Sequence, residues 1–138
     1  MSRPVAPRVI FDGIPAAPYG STPGAAFGVD TYYIPITSDG SAVNSLQIQG
    51  DGTFAATATV QHTDFLTNLD GSTVNPRVAG VASIWDTDAA VGTLTILASA
   101  TETGQDRKTW SNQPHALSRI VLVVSVGGRA RGGGTGVS

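Results

Sequence analysis

Few side chains in this sequence could do acid–base or metal chemistry: two histidines, His62 and His115, a single glutamate, Glu102, and a scatter of aspartates, with no cysteine. Without cysteine, disulfides and thiolate metal sites are excluded. Neither histidine has a second His or a Glu at ligand spacing of the His-Glu-x-x-His kind, and there is no Gly-x-Ser-x-Gly nucleophile elbow. His62 ends an alternating apolar run and His115 sits in a Pro-containing stretch, so each reads as a surface or hydrogen-bonded histidine. A Ser-His-Asp set can be assembled on paper from any chain this rich in Ser and Asp, which deprives it of weight. Asp86-Thr87-Asp88 offers oxygen ligands of the kind calcium prefers, but a closing Glu and further ligands are missing, and a turn is the better reading. With one Glu, a paired-carboxylate glycosidase is not expected. The expectation is a protein that is not an enzyme, with no catalytic residues, no metal and no cofactor, and with the two histidines far apart.

Aromatic residues offer a second kind of chemistry, stacking on sugar rings. Trp85 closes the apolar run Ala82-Ser83-Ile84-Trp85 and reads as core. Trp110 precedes a polar stretch and reads as surface. With Tyr32, Tyr33 and the stretches 64–76 and 102–117, it would supply the site of a glycan-binding adhesion module, the alternative reading. Gly132-Gly133-Gly134-Thr135-Gly136 holds phosphate-loop residue types without a following helix. Arg129 and Arg131 neutralise too few phosphates for nucleic-acid binding.

The elements that would position these residues are strands. Residues 53–62 alternate with period two: Phe54, Ala56, Ala58 and Val60 on one face, Thr57, Thr59 and Gln61 on the other. Residues 28–36, 43–49, 78–85 and 93–101 read as further strands. Residues 118–126 are apolar on both faces, which predicts a central strand with Val121 and Val123 buried as fully as Ile120, Leu122 and Val124. Gly50-Asp51-Gly52 predicts a tight hairpin between 43–49 and 53–62. Asp-Gly recurs at Asp12-Gly13, Asp39-Gly40, Asp51-Gly52 and Asp70-Gly71, and repeated turn signals between short strands predict an all-β fold: an antiparallel β-sandwich, jelly-roll-like.

Five of the eight prolines fall within the first 23 residues. This breaks any helix or central strand there. Yet Val9, Ile10, Phe11, Ile14 and Tyr19 are too apolar for a solvated tail. An extended arm over 1–27 follows, lying on its own domain or on a neighbour, with those five residues as assembly contacts. Residues 28–126 form the sandwich, and 127–138, half of them glycine, read as a flexible tail. Charged residues make up only 13% of the chain, and the net charge of −2 is divided between basic ends and an acidic middle. So little charge suits a surface partly covered by neighbouring molecules. No stretch of signal-peptide or membrane-spanning length is present, so synthesis in the cytoplasm without membrane insertion is expected.

The stretch 45–126 resembles small β-sandwich structural proteins of tailed bacteriophage virions. Ser45-Leu46-Gln47-Ile48-Gln49 is similar to their opening core strand. Asp51-Gly52-Thr53-Phe54-Ala55-Ala56-Thr57-Ala58-Thr59-Val60-Gln61 is similar to the next strand, ending near Thr63-Asp64-Phe65. Trp85-Asp86 lies midway, and Ser118-Arg119-Ile120-Val121-Leu122 resembles the closing strand. The resemblance implies a virion protein that packs on a capsid or tail lattice, as a head decoration or head fibre first and a tail component second. Its partners would be copies of itself and other virion proteins, as a homo-oligomer, with neither nucleic acid nor membrane.

Overall fold

A computed structural model of the chain describes residues 7–13, 25–98 and 104–138. They form nine strands and one short 3-10 turn: β1 (Arg8–Asp12), β2 (Thr31–Ile36), β3 (Val43–Gly50), β4 (Ala55–Thr63), the turn Ala82–Ile84, β5 (Asp86–Thr87), β6 (Leu94–Ile96), β7 (Gln105–Ser111), β8 (Leu117–Val126) and β9 (Ala130–Thr135). One antiparallel sheet runs β1-β9-β3-β7, and the other runs β2-β8-β4 with β5 and β6 both paired to β4. Because β8 covers one side of β4 throughout, β5 and β6 share its other side as a single strand interrupted at 88–93. Counted so, the strand orders are first–eighth–third–sixth and second–seventh–fourth–fifth, those of an eight-stranded jelly roll.

The alternation along β4 sets the core. Phe54, Ala56, Ala58 and Val60 are buried and point at the other sheet, where Leu46 and Ile48 of β3 meet them. Ile120, Leu122 and Val124 of β8 and Leu94 and Ile96 of β6 complete the middle layer. Phe27 packs edge-on against Phe11 and Tyr32, with centroids 5.8 and 4.9 Å away, and tilts against Phe54 at 5.6 Å. Such contacts add about 0.5–1.5 kcal/mol each beyond burial.

Four expectations change here. Strand β8 is central in its sheet, but Val123 is 44% exposed and Val121 only half-buried, because the outer face of this sheet meets solvent over that stretch. Gly50-Asp51-Gly52 does not close a hairpin: β3 and β4 lie in different sheets, and the turn carries the chain from one to the other, with Gly52 at a φ of 96°. Residues 78–85 are an irregular loop ending in the 3-10 turn, and of 93–101 only Leu94–Ile96 is strand, with 99–101 outside the described residues. The glycine-rich segment 127–138 is not a flexible tail. It carries β9, flanked by β1 and β3, and its last residues bridge to Ser38 and Thr37.

The N-terminal arm is corrected in part. Arg8–Asp12 is the edge strand β1, and Phe11 fills its own domain's core while Ile10 packs partly against it. Val9 is 76% exposed. Ile14 and Tyr19 lie outside the described residues.

Asp51 ties the crossover turn to β9. Its carboxylate accepts hydrogen bonds from the Arg129 amide (2.9 Å), the Thr53 hydroxyl (2.8 Å) and the amides of Thr53 and Phe54 (3.0 and 3.1 Å). The Arg129 amide above all, and then the Thr53 hydroxyl, hold this carboxyl well below the ordinary carboxylate range.

Candidate functional site

The inward face of β4 continues past Val60 to His62, at one end of the sandwich. The residue directly opposite on β8 is Ser118. Adjacent strands therefore place an imidazole and a hydroxyl side by side, with His62 Nδ1 and Ser118 Oγ 2.7 Å apart. Beyond the short strand β5 the chain turns at Asp88, whose amide donates to the Val60 carbonyl at 2.8 Å. One carboxylate oxygen of Asp88 accepts the amides of Ala90 (2.9 Å) and Val91 (3.3 Å), and the other lies 2.8 Å from His62 Nε2. Burial pushes this carboxyl up, but the His62 bond and the two amides outweigh it and hold the group below its ordinary value.

His115 arrives from the loop between β7 and β8. Its ring stacks on His62, with centroids 3.8 Å apart and planes 8° from parallel. Its Nδ1 is 3.9 Å from the Asp64 carboxylate, which also accepts the Ala116 amide at 3.2 Å. Burial, and then the positive charge His62 can carry, push the His115 imidazole below its ordinary value, against the opposing pull of Asp64 and Asp88. The expectation of two histidines far apart is thus overturned: 53 positions apart in the chain, the two rings are in contact.

The stacked pair forms a wall shared by two cavities. One, of about 440 Å³, has Asp64, Asp86 and Asp88 in its lining. Among the described residues no group of three or more His, Asp or Glu side chains could hold a metal ion. The other, of about 260 Å³, opens between the sheets at the sandwich end, with Asn44, Trp110, Asn112, Gln113 and Ser118 in its lining. Asn44 is buried, donating to Asn112 Oδ1 at 3.3 Å.

No protein-family model, curated protein or solved structure matches the chain. What the site does must be read from its own geometry.

Hydroxyl, imidazole and carboxylate in a line are the parts that activate a serine nucleophile. Two features set this line apart. Ser118 lies within a strand flanked by Ile36 of β2 and His62 of β4, rather than on a strained turn. Main-chain amides at such a position serve the ladders, so a developing oxyanion would depend on side-chain donors. The line does fix a tautomer. The Asp88 carboxylate only accepts, so neutral His62 carries its proton on Nε2 and accepts at Nδ1. In that tautomer Ser118 donates to His62, and its oxygen keeps its acceptor capacity for a further partner.

The proposed glycan-contact residues are not brought together on a surface. Trp110 is buried, with 6% exposure, and belongs to the core cluster while also bordering the cavity. Tyr32 is buried, its hydroxyl 3.1–3.2 Å from the main chain of Gly28. Tyr33 is half-buried on the opposite face of β2, against Arg119. Sequence reasoning missed His62, Ser118 and Asp88 as a set. The period of β4 is a signal that His62 faces inward, but the pairing of Ser118 and the return of Asp88 are products of topology.

Proposed function

We propose that this chain is a structural protein of a tailed-phage virion, packing against copies of itself and other virion proteins on a lattice. Head decoration or head fibre is the first choice and a tail component the second. It acts by contact rather than turnover, with no cofactor, nucleic acid or membrane involved. The observation that carries the reading is a projecting apolar hairpin on a domain three of whose edge strands carry features that discourage pairing. Thr67 and Thr73 bridge across the Asp70-Gly71 turn, and the Val74 amide donates to the Leu66 carbonyl at 2.9 Å. Leu69 stands wholly exposed at the tip, with Phe65 and Leu66 exposed at the base. A hairpin ordered by its own hydrogen bonds yet presenting apolar side chains to water is suited to burial against a partner.

The edges point the same way. Strand β1 carries a bulge between Val9 and Phe11, β7 carries Asp106, Arg107 and Lys108, and β2 carries Pro35. Each of these discourages edge-to-edge sheet extension and leaves association to side-chain surfaces. Jelly rolls of this strand order serve in viral capsids and also in lectins, so the fold supports the reading by analogy only.

Mass spectrometry of purified tailed particles from the source culture, with electron microscopy of the same particles, tests the assignment. The chain should be a stoichiometric virion component. Its absence from such particles would sink the reading. For the recombinant full chain, sedimentation should show self-association that Leu69→Asp weakens.

A further inference from the structure

The smaller end cavity has a chemical character of its own. Among the described residues that line it, none is Asp, Glu, Lys or Arg. With both imidazoles of its lining neutral, an ionic ligand would enter without a charge to pair with, and burying an unpaired charge is strongly unfavourable. The polar groups that do converge there are amides, hydroxyls and imidazoles. Asn112 accepts the Asn44 amide through Oδ1 at 3.3 Å, and its own Nδ2 has no acceptor among the described residues. Gln113, exposed in the loop after β7, adds a second amide at the rim. Ser118, a donor to Nδ1 when His62 is neutral and bonded to Asp88 through Nε2, lines the space with a hydroxyl oxygen that can still accept. Apolar walls come from Trp110, Pro76 and Pro114.

Donors, a hydroxyl and apolar walls, in about 260 Å³ without a carboxylate, ammonium or guanidinium in the lining, match a single small ring bearing hydroxyls on its edges and C–H groups on its faces. We propose that this cavity binds one neutral pyranose residue of a glycan. Ring hydroxyls donate to Ser118 Oγ and accept from the Asn112 and Gln113 amides, and the C–H surface lies against the apolar walls. The serine–histidine–aspartate line here works as a positioning device: Asp88 fixes the His62 tautomer, and His62 fixes which way Ser118 points. The site stands independently of the virion reading, since a lattice protein and a free module would both retain it.

The test titrates the folded full-length chain with methyl glycosides of glucose, galactose, mannose and N-acetylglucosamine, and with glucuronate and glucosamine as charged controls. The readout is the side-chain amide resonances of Asn112 and Gln113, alongside tryptophan emission. At least one neutral glycoside should shift these amides saturably, with the charged analogues at least about tenfold weaker. Ser118→Ala, nearly isosteric, and Gln113→Ala, in an exposed loop, should each weaken binding by about three- to tenfold, the worth of one hydrogen bond. Gln113→Ala keeps the test valid if Ser118→Ala disturbs the fold. Absence of saturable shifts with every neutral glycoside would overturn the proposal. So would equal binding of glucuronate, or undiminished binding by a folded Gln113→Ala variant.

Discussion

At Gly132 the ring of Phe11 occupies the space where a side chain would go: a Cβ there would overlap the ring. The glycines of β9 therefore serve close approach within a packed sheet, and Gly134 likewise sits against the Ser45 carbonyl and Val137. Gly132→Ala must displace Phe11 from the core and should cost about 1–3 kcal/mol, read from denaturant unfolding. Phe54, fully buried between the sheets, should cost about 3–5 kcal/mol on truncation to alanine. Ser118 belongs to a different class of prediction. With its neighbouring amides committed to ladders, it should resist labelling by a fluorophosphonate probe under conditions that label an authentic serine hydrolase. Rapid labelling lost in Ser118→Ala would make it a nucleophile and overturn the non-catalytic reading.

At the scale of elements, two loops owe their conformations to single side chains. Arg119 of β8 is 2% exposed, lying between the rings of Tyr33 and Trp85, 4.5 and 3.9 Å from their centroids. Its Nη1 donates to the Val78 carbonyl at 2.6 Å, Nη2 to Ala79 at 3.4 Å, and Nε to Gln61 at 2.9 Å. Those carbonyls would have served a ladder had 78–85 been a strand. Trp85 is buried as its apolar run suggested, but against this guanidinium on the outer face of the sheet. Arg119→Ala should release the loop and destabilise the domain by about 2 kcal/mol or more, seen as raised amide exchange across 78–85 and a lower unfolding midpoint. Asp51→Ala should cost about 1–3 kcal/mol by leaving the amides of Phe54 and Arg129 without their acceptor.

The loop that carries His115 should respond to pH. Because its folded-state value lies below the ordinary one, protonation favours the unfolded chain. The stability it contributes is complete above the ordinary histidine value and is lost as pH falls toward the depressed folded value. Thermal melts of the native chain should show this loss, and His115→Gln should remove that component. An unchanged pH profile in the variant would show that the stacked pair is not its source.

For the whole molecule, the jelly-roll order makes the two ends of the described chain interdependent. Strand β9 joins β1 to β3, so removing residues 129–138 separates Phe11 from its support and exposes one side of β3. That truncation should abolish cooperative unfolding; a folded, cooperatively melting product would restore the view of this segment as a tail. In contrast, changes at the hairpin tip, such as Leu69→Asp, should leave the melting temperature within a few degrees of the native value while reducing association. The tip is exposed, and its cost is felt only in a complex.

The sequence by itself determined the fold class, the inward face of β4 and the positions of the Asp-Gly turns, all of which are local. Period-two alternation fixes which side chains share a face, and Gly13, Gly40, Gly52 and Gly71 each adopt the positive φ that such turns demand. Tertiary structure alone decided the remainder. Glycines read the same in a solvated tail and in a strand that must pass beneath a phenylalanine ring. Val123 and Leu122 read alike until one face of the sheet is left to solvent. Asp88, Ser118, His62 and His115 come from four separate segments, and they meet because antiparallel register and an interrupted edge strand deliver them to one end of the sandwich. Pairing of that kind depends on which strands become neighbours, a long-range outcome that local residue patterns do not encode.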